Sequence, residues 1–201
     1  MQILHPFIGS IQHYAEKIVD PDFHRPQGCP QCQARQPLCA YGFYHRTLVD
    51  VDFEGSIRVR RFLCRWCRRT VSLLPQFVFP YLRFSVSVIC LFLFARLLDG
   101  LTLTAAATAA TQANMPYQRG QFWIRRFCQQ AAALAATLAG VTASPSAPDF
   151  VTRALQMLRA IGAVAAHRFL LGELRGHLLG WPPFLAPAGR RLSLRPGAAP
   201  A

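Results

Sequence analysis

Two short cysteine pairs constrain this chain more than anything else in it. Cys29 and Cys32 enclose Pro-Gln, and Cys64 and Cys67 enclose Arg-Trp, with 31 residues between the pairs. A C-x-x-C turn brings both of its sulfurs to one point, so two such turns joined by a small sheet supply four thiolates tetrahedrally to Zn²⁺. A redox dithiol is the competing reading. It needs one C-x-x-C, usually leading a helix in an α/β setting, whereas here two pairs sit among strand-like residues. The expected site is a structural zinc ion on Cys29, Cys32, Cys64 and Cys67. His24, Cys39 and His45 lie near enough in sequence to substitute, but read better as turn, core and surface residues. Cys90 and Cys128, on apolar helical stretches, read as buried thiols.

The second pair is embedded in RVRRFLCRWCRRTVSLLP, residues 58–75. Arg58, Arg60, Arg61, Arg65, Arg68 and Arg69 fall within twelve positions there. The arginines next to the cysteines are expected to favour thiolate. The whole chain of 201 residues has a formal net charge of +13 and a pI near 10.5, and Lys17 is the single lysine among its 22 basic residues. Arginine over lysine is what a GC-rich genome produces. The net charge itself still calls for a polyanionic partner or a solvated basic face, and arginine forks onto phosphate and guanine edges.

The chain divides by composition into five stretches. Residues 1–28 read as an N-terminal helix, near Ile8 to Val19, and a turn-rich linker. Residues 29–80 form the zinc ribbon, with strand-like runs at 39–53 and 56–63 and a turn at Glu54-Gly55. Residues 81–142 turn helical: an all-round apolar helix from Phe84 to Leu98 stopped by Asp99-Gly100, a helix capped by Thr102 running to about Gln112, a break at 114–116, and a helix from about Tyr117 to Leu138. SPSAP, residues 144–148, is a linker. Asp149 caps C-terminal helices over 149–180, with Gly162 or Gly172 as break points. Residues 181–201 are Pro/Gly-rich and basic, and read as a disordered tail. The expected fold class is α+β: a small antiparallel zinc ribbon followed by an all-α helix-turn-helix bundle.

Within the third of those helices, Trp123, Phe127, Ala131, Leu134 and Leu138 recur at helical spacing and face a core. Gln118, Gln121 and Arg125 lie largely on the other side, flanked by Arg119 and Arg126. Gln and Arg at the start of the second helix of such a pair are suited to adenine and guanine edges in a major groove. The same row also suits a merely solvated face.

Taken together, C-P-Q-C, Y-G-F-Y-H-R, the basic strand ending in C-R-W-C-R-R-T-V-S-L-L-P, the L-D-G-L-T turn and F-W-I-R-R-F resemble the zinc-ribbon N-terminal regions of insertion-sequence transposases. They resemble in particular a group of stand-alone prokaryotic proteins classed as a domain of unknown function (DUF6431-like). The likeness covers about residues 24–130. Gln33 departs from it where a glycine often follows the first knuckle, and Tyr41 where a histidine is common. The resemblance implies binding to double-stranded DNA, association with a mobile element, and a transposase or other protein as further partner.

A two-metal nuclease needs three converging carboxylates. After residue 84 the chain offers Asp99, Asp149 and Glu173, at a helix end, a cap and a helical run. The expectation is therefore a DNA-binding protein that is not an enzyme, with a zinc-stabilised interaction or regulator module as the alternative. In that alternative the apolar helices of 149–179 would carry the contact. The opening twenty residues lack the basic n-region of a secretory signal, and the longest apolar run, SVSVICLFLFA, is too short to span a bilayer. The expected location is the cytoplasm, on the nucleoid, and no membrane partner is expected.

Overall fold

The computed structural model describes residues 2–5, 7, 9–18, 20 and 24–181. The tail expected over residues 181–201 lies, from residue 182 onward, outside these.

Four strands form one sheet in the order β1-β4-β3-β2, with β1 at Gln2–His5, β2 at Cys39–Val49, β3 at Glu54–Leu63 and β4 at Thr70–Pro75. The β2–β3–β4 meander is antiparallel. The strand β1 is an addition to the expected ribbon: it lies parallel to β4, pairing Gln2 with Ser72 through His5 with Pro75. The hairpin turn is also displaced from Glu54-Gly55. Val49 pairs with Glu54, and the Asp50 N–H donates to the Phe53 carbonyl at 2.7 Å, so residues 50–53 make the turn. Asp50 and Asp52 supply turn chemistry that the interleaved Val51 and Phe53 disguise as strand alternation.

Both faces of the sheet are covered over part of their area. On one, Leu48, Ile57, Val59 and Leu74 pack with Phe7, Phe77 and the buried side of α1, Ile11–Lys17. That helix is shorter than the expected Ile8-to-Val19 span and is capped by the Ser10 hydroxyl, which accepts from the His13 N–H. On the other face Leu38, Phe62, Val71 and Leu73 pack with Cys29 and Cys64.

The largest core is helical. It joins α2 (Val86–Leu97), α3 (Leu103–Ala109), α4 (Tyr117–Leu138), α5 (Phe150–Ile161) and α6 (Ala163–Arg168), the last continuing into a π-helical turn at Phe169–Glu173. The caps follow the sequence. Ser85, Thr102 and Asp149 side chains each accept a hydrogen bond from a first-turn N–H. Gly162, at φ +89°, makes the break between α5 and α6. All five stripe residues of α4 are buried. Gly120 lets α4 approach α2 closely, since a Cβ there would fall 2.6 Å from the Phe92 ring.

The segment joining sheet to helices is tied at many points. Arg46 donates to the carbonyls of Phe79 and Leu82. The Val49 N–H donates to Arg83, and the Ser85 N–H donates back to Val49. The Ser85 hydroxyl donates to Asp50. Phe79 then reaches across to the end of the described chain, with its ring 4.6 Å from that of His167 and 5.1 Å from that of His177. No helix among the described residues is long and apolar enough to cross a membrane.

Candidate metal centre and basic surface

The two C-x-x-C turns have the same backbone. In the first, the Cys29 N–H donates to the Ala34 carbonyl and the Gln33 N–H to the Cys29 carbonyl. In the second, the Cys64 N–H donates to Arg69 and the Arg68 N–H to Cys64. Each pair of bonds closes a turn whose fifth residue is left-handed: φ is +61° at Gln33 and +58° at Arg68. The second turn is set by the β3–β4 connection, since β3 ends at Leu63 and β4 begins at Thr70.

The four sulfurs come together. Cys29, Cys32, Cys64 and Cys67 lie with their Sγ atoms all within 4.8 Å of one another. Two diagonal separations, Cys29 to Cys67 and Cys32 to Cys64, are 3.7 Å each. A disulfide needs about 2.05 Å, whereas a tetrahedron of sulfurs around zinc at about 2.3 Å has edges of about 3.8 Å. The donor set therefore fits a tetrahedral thiolate-bound ion. Among the described residues this is the group of three or more His, Cys, Asp or Glu side chains close enough to hold a metal. Cys39 is half-buried on β2, His45 is exposed, and the His24 ring packs 3.8 Å from that of His5, so none of the three joins the cluster.

The acidities of Cys29 and Cys67 are shifted in opposite directions. Burial opposes ionisation of Cys29, but the backbone N–H groups of Cys32 and Gln31 and the thiols of Cys32 and Cys64 outweigh it and bring it down to about 7. At Cys67 the Arg69 N–H favours the thiolate. Desolvation and the three neighbouring sulfurs prevail there, and the thiol is pushed up to about 11. The lowering at Cys29 thus comes from backbone N–H groups and neighbouring thiols rather than from the adjacent arginines. A bound cation would reverse the penalty at Cys67 by neutralising the accumulated charge.

The arginines of the ribbon separate into distinct groups. Arg65, Arg68 and Arg69 are exposed on the second knuckle, and Arg35 is exposed just beyond the first. Arg58 is half-buried, with its guanidinium 4.9 Å from the centre of the Phe43 ring. Arg60 is only 5% exposed and lies over Phe43 at 4.5 Å and Phe62 at 5.7 Å. Strand alternation puts Arg58, Arg60 and Phe62 on one face, where cross-strand Phe43 takes up two of the charges. Arg61, on the opposite face, donates to the Thr70 hydroxyl at 3.4 Å and covers the Tyr41 ring at 5.5 Å. Arg60 therefore departs from the surface role expected of it.

On α4, Gln118, Arg119, Gln121 and Arg125 are exposed along the first two turns. Gln121 donates to the Tyr117 hydroxyl at 2.8 Å. An open cleft of about 350 Å³ lies beside them, lined by Arg96, Leu103, Tyr117, Gln121, Ile124 and Arg125. Arg126 also departs from expectation. It is half-buried, and donates to the carbonyls of Leu179, Gly180 and Trp181 at 2.9, 2.8 and 3.0 Å. It fastens the end of the described chain to α4. Cys128, expected to be buried, is exposed, while Cys90 is buried and its thiol is pushed up to about 12 by desolvation.

The three late carboxylates have local roles. Asp99 pairs with Arg159 at 3.4 Å, Asp149 caps α5, and Glu173 is exposed at the π-helical turn. The C-terminal helices spend their apolar faces on the core: Ala154, Leu155, Met157 and Leu158 of α5 are buried in it.

Trp66 is a surface residue that the sequence pattern does not mark as functional. It is the most exposed large apolar side chain among the described residues, at 70%. Its indole N–H donates to the Gln36 side chain at 3.3 Å, tying the two knuckles together. A tryptophan between two metal-ligand cysteines, with charged neighbours and no apolar partner in the pattern, was the available signal.

No curated protein and no solved structure matches this chain. Residues 29–111, which hold both knuckles, the meander, α2 and α3, match the family described as Domain of unknown function (DUF6431), the group that the motifs of this segment resemble.

Proposed function

We propose that the protein binds double-stranded DNA through a ribbon shaped by a structural zinc ion and through the exposed face of α4. The observation that carries this reading is the segregation of charge along the ribbon. Within residues 24–75 the acidic side chains are Asp50, Asp52 and Glu54, all at the hairpin turn. The exposed arginines of the same stretch are Arg35, Arg65, Arg68 and Arg69, all at the knuckles. A β3 of ten residues separates the two ends by about 30 Å. Such a separation presents a concentrated cationic end to a polyanion.

In this reading Arg35, Arg65, Arg68 and Arg69 contact phosphates, which position the protein without choosing a sequence. Gln118, Arg119, Gln121 and Arg125 project from the start of α4, following α3 and a short break. That is the arrangement in which a second helix enters a major groove. The zinc holds the knuckles and does no chemistry. The resemblance to transposase ribbons points to the ends of a mobile element as the DNA, and to a transposase as a companion protein. It points to the nucleoid as the place of action. Nothing in the roles of Asp99, Asp149 and Glu173 supports strand cleavage by this chain.

The test is fluorescence anisotropy with a labelled duplex at two salt concentrations. With four to six phosphate contacts, log K is expected to fall with log salt at a slope of about −4 to −5. Absence of salt-sensitive binding to any duplex, element ends included, overturns the proposal.

A further inference from the structure

We infer that the ribbon tip is also a reader of unpaired bases, with Trp66 as the surface on which one base stacks. This rests on the nucleic-acid reading above and names a second form of nucleic acid for the same end of the ribbon.

An indole 70% exposed is an apolar plate left in water. Its position is nevertheless fixed. The backbone on either side is held by the Cys64–Arg69 and Arg68–Cys64 bonds, and the indole N–H is held by Gln36 across the gap between knuckles. Using that N–H orients the ring through its edge and leaves the π-faces for other contacts. Rings of this kind that lie beside arginines accept nucleobases, since every base has a π-face and stacking tolerates any sequence. Arg65, Arg68 and Arg69 lie within three residues of Trp66 and are exposed, which places cations where the flanking phosphates of a stacked nucleotide would run. The bases of an intact duplex are already stacked on each other, so Trp66 can engage them only where the strands are open: a single strand, a frayed end or a nick. The tip would thus hold the opened part of a DNA whose paired part is held elsewhere.

The experiment is intrinsic tryptophan fluorescence on the metal-loaded full chain, titrated with a 15-nucleotide single-stranded DNA, the same sequence as RNA, and the blunt duplex. Trp123 is 1% exposed and Trp181 is half-buried, so the Trp66 signal is isolated by subtracting that of Trp66→Phe. The expected result is quenching by single strands that Trp66→Phe abolishes while single-strand binding, read by anisotropy, persists. Trp66→Ala is expected to weaken single-strand binding about tenfold or more and to leave blunt-duplex binding within about twofold. Stronger quenching by RNA than by DNA would assign the unpaired bases to RNA and still support stacking. Single-strand affinity unchanged in a Trp66→Ala protein of normal metal content overturns the inference and leaves the duplex proposal intact. Duplex binding without single-strand quenching does the same. Failure to bind any nucleic acid removes both.

Discussion

Gln33 and Arg68 occupy the same position in two superposable turns, each four residues after the first cysteine of its pair and each left-handed, at φ +61° and +58°. Neither side chain is needed for the turn. Both residues carry the strain of a Cβ in a region that glycine enters freely, which explains why Gln33 looks like a departure where a glycine is common. Gln33→Gly is expected to stabilise the metal-loaded protein by up to about 1 kcal/mol, read as a rise of a few degrees in Tm. Gln33→Val, β-branched at a positive φ, should cost about 1–2 kcal/mol.

Arg68→Gly separates shape from charge at the equivalent position. Its turn should be as stable as the parent's or more so, while one exposed cation disappears from the tip. The expected outcome is unchanged or higher Tm together with a salt slope of DNA binding that is shallower by about 1. A slope that does not change would remove Arg68 from the contact surface.

Metal removal should act on one part of the molecule. The cysteines pack with Leu38, Phe62, Val71 and Leu73, whereas α2 to α6 share their own larger core. Metal analysis is expected to give one zinc per chain. Chelation, or Cys64→Ser, should abolish the metal and the ribbon's order while leaving most of the helical circular dichroism. Structural zinc sites contribute folding free energy directly.

Arg125 and Arg126 are neighbours with opposite expected phenotypes. Arg125→Ala should weaken duplex binding about tenfold with little change in Tm, since its side chain is exposed. Arg126→Ala leaves three carbonyls at Leu179, Gly180 and Trp181 without their donor. It should cost about 2 kcal/mol of stability, measured by urea denaturation, and loosen the end of the described chain.

Acid sensitivity should come from three buried histidines: His5, held down to about 4 by burial and then by His24, and the two around Phe79. Burial, and then repulsion from His177, holds His167 down to about 3; burial likewise holds His177 down to about 4. Their folded values lie below the unfolded value near 6.5, so the unfolded chain takes up protons first as pH falls. Stability from these groups is complete above about pH 6.5 and is lost progressively as pH falls towards 3, at up to about 1.4 kcal/mol per pH unit for each. His167→Phe is expected to flatten that slope by about a third, measured as Tm against pH.

Much of this was legible in the chain because it is local. The Thr102 and Asp149 caps, the α4 stripe and the C-x-x-C spacing are each set by residues within a few positions. What escaped depends on distant partners. Four residues at β1 carry too little pattern to reveal a pairing with residues 72–75. Arg60 reads as surface until Phe43, from another strand, is found beneath its guanidinium. Arg125 and Arg126 differ by one step around the helix, about 100°, and only the position of residues 179–181 shows which of them faces a carbonyl cluster. The displaced turn at 50–53 is the exception, a local signal masked by alternation.

The ties among Arg46, Val49, Phe79, Leu82, Arg83 and Ser85 have a further consequence. They tie the sheet to the start of α2 by several hydrogen bonds, which restrict motion of the ribbon against the helices that follow. A duplex touched by both the knuckle end and the start of α4 must offer its two contact regions in matching helical phase. Moving one region along the DNA by about five base pairs turns it to the far side of the duplex, and by about ten restores the facing but not the distance. On the proposed duplex-binding reading, the joint between sheet and helices would set the spacing between the two contact regions without touching DNA itself.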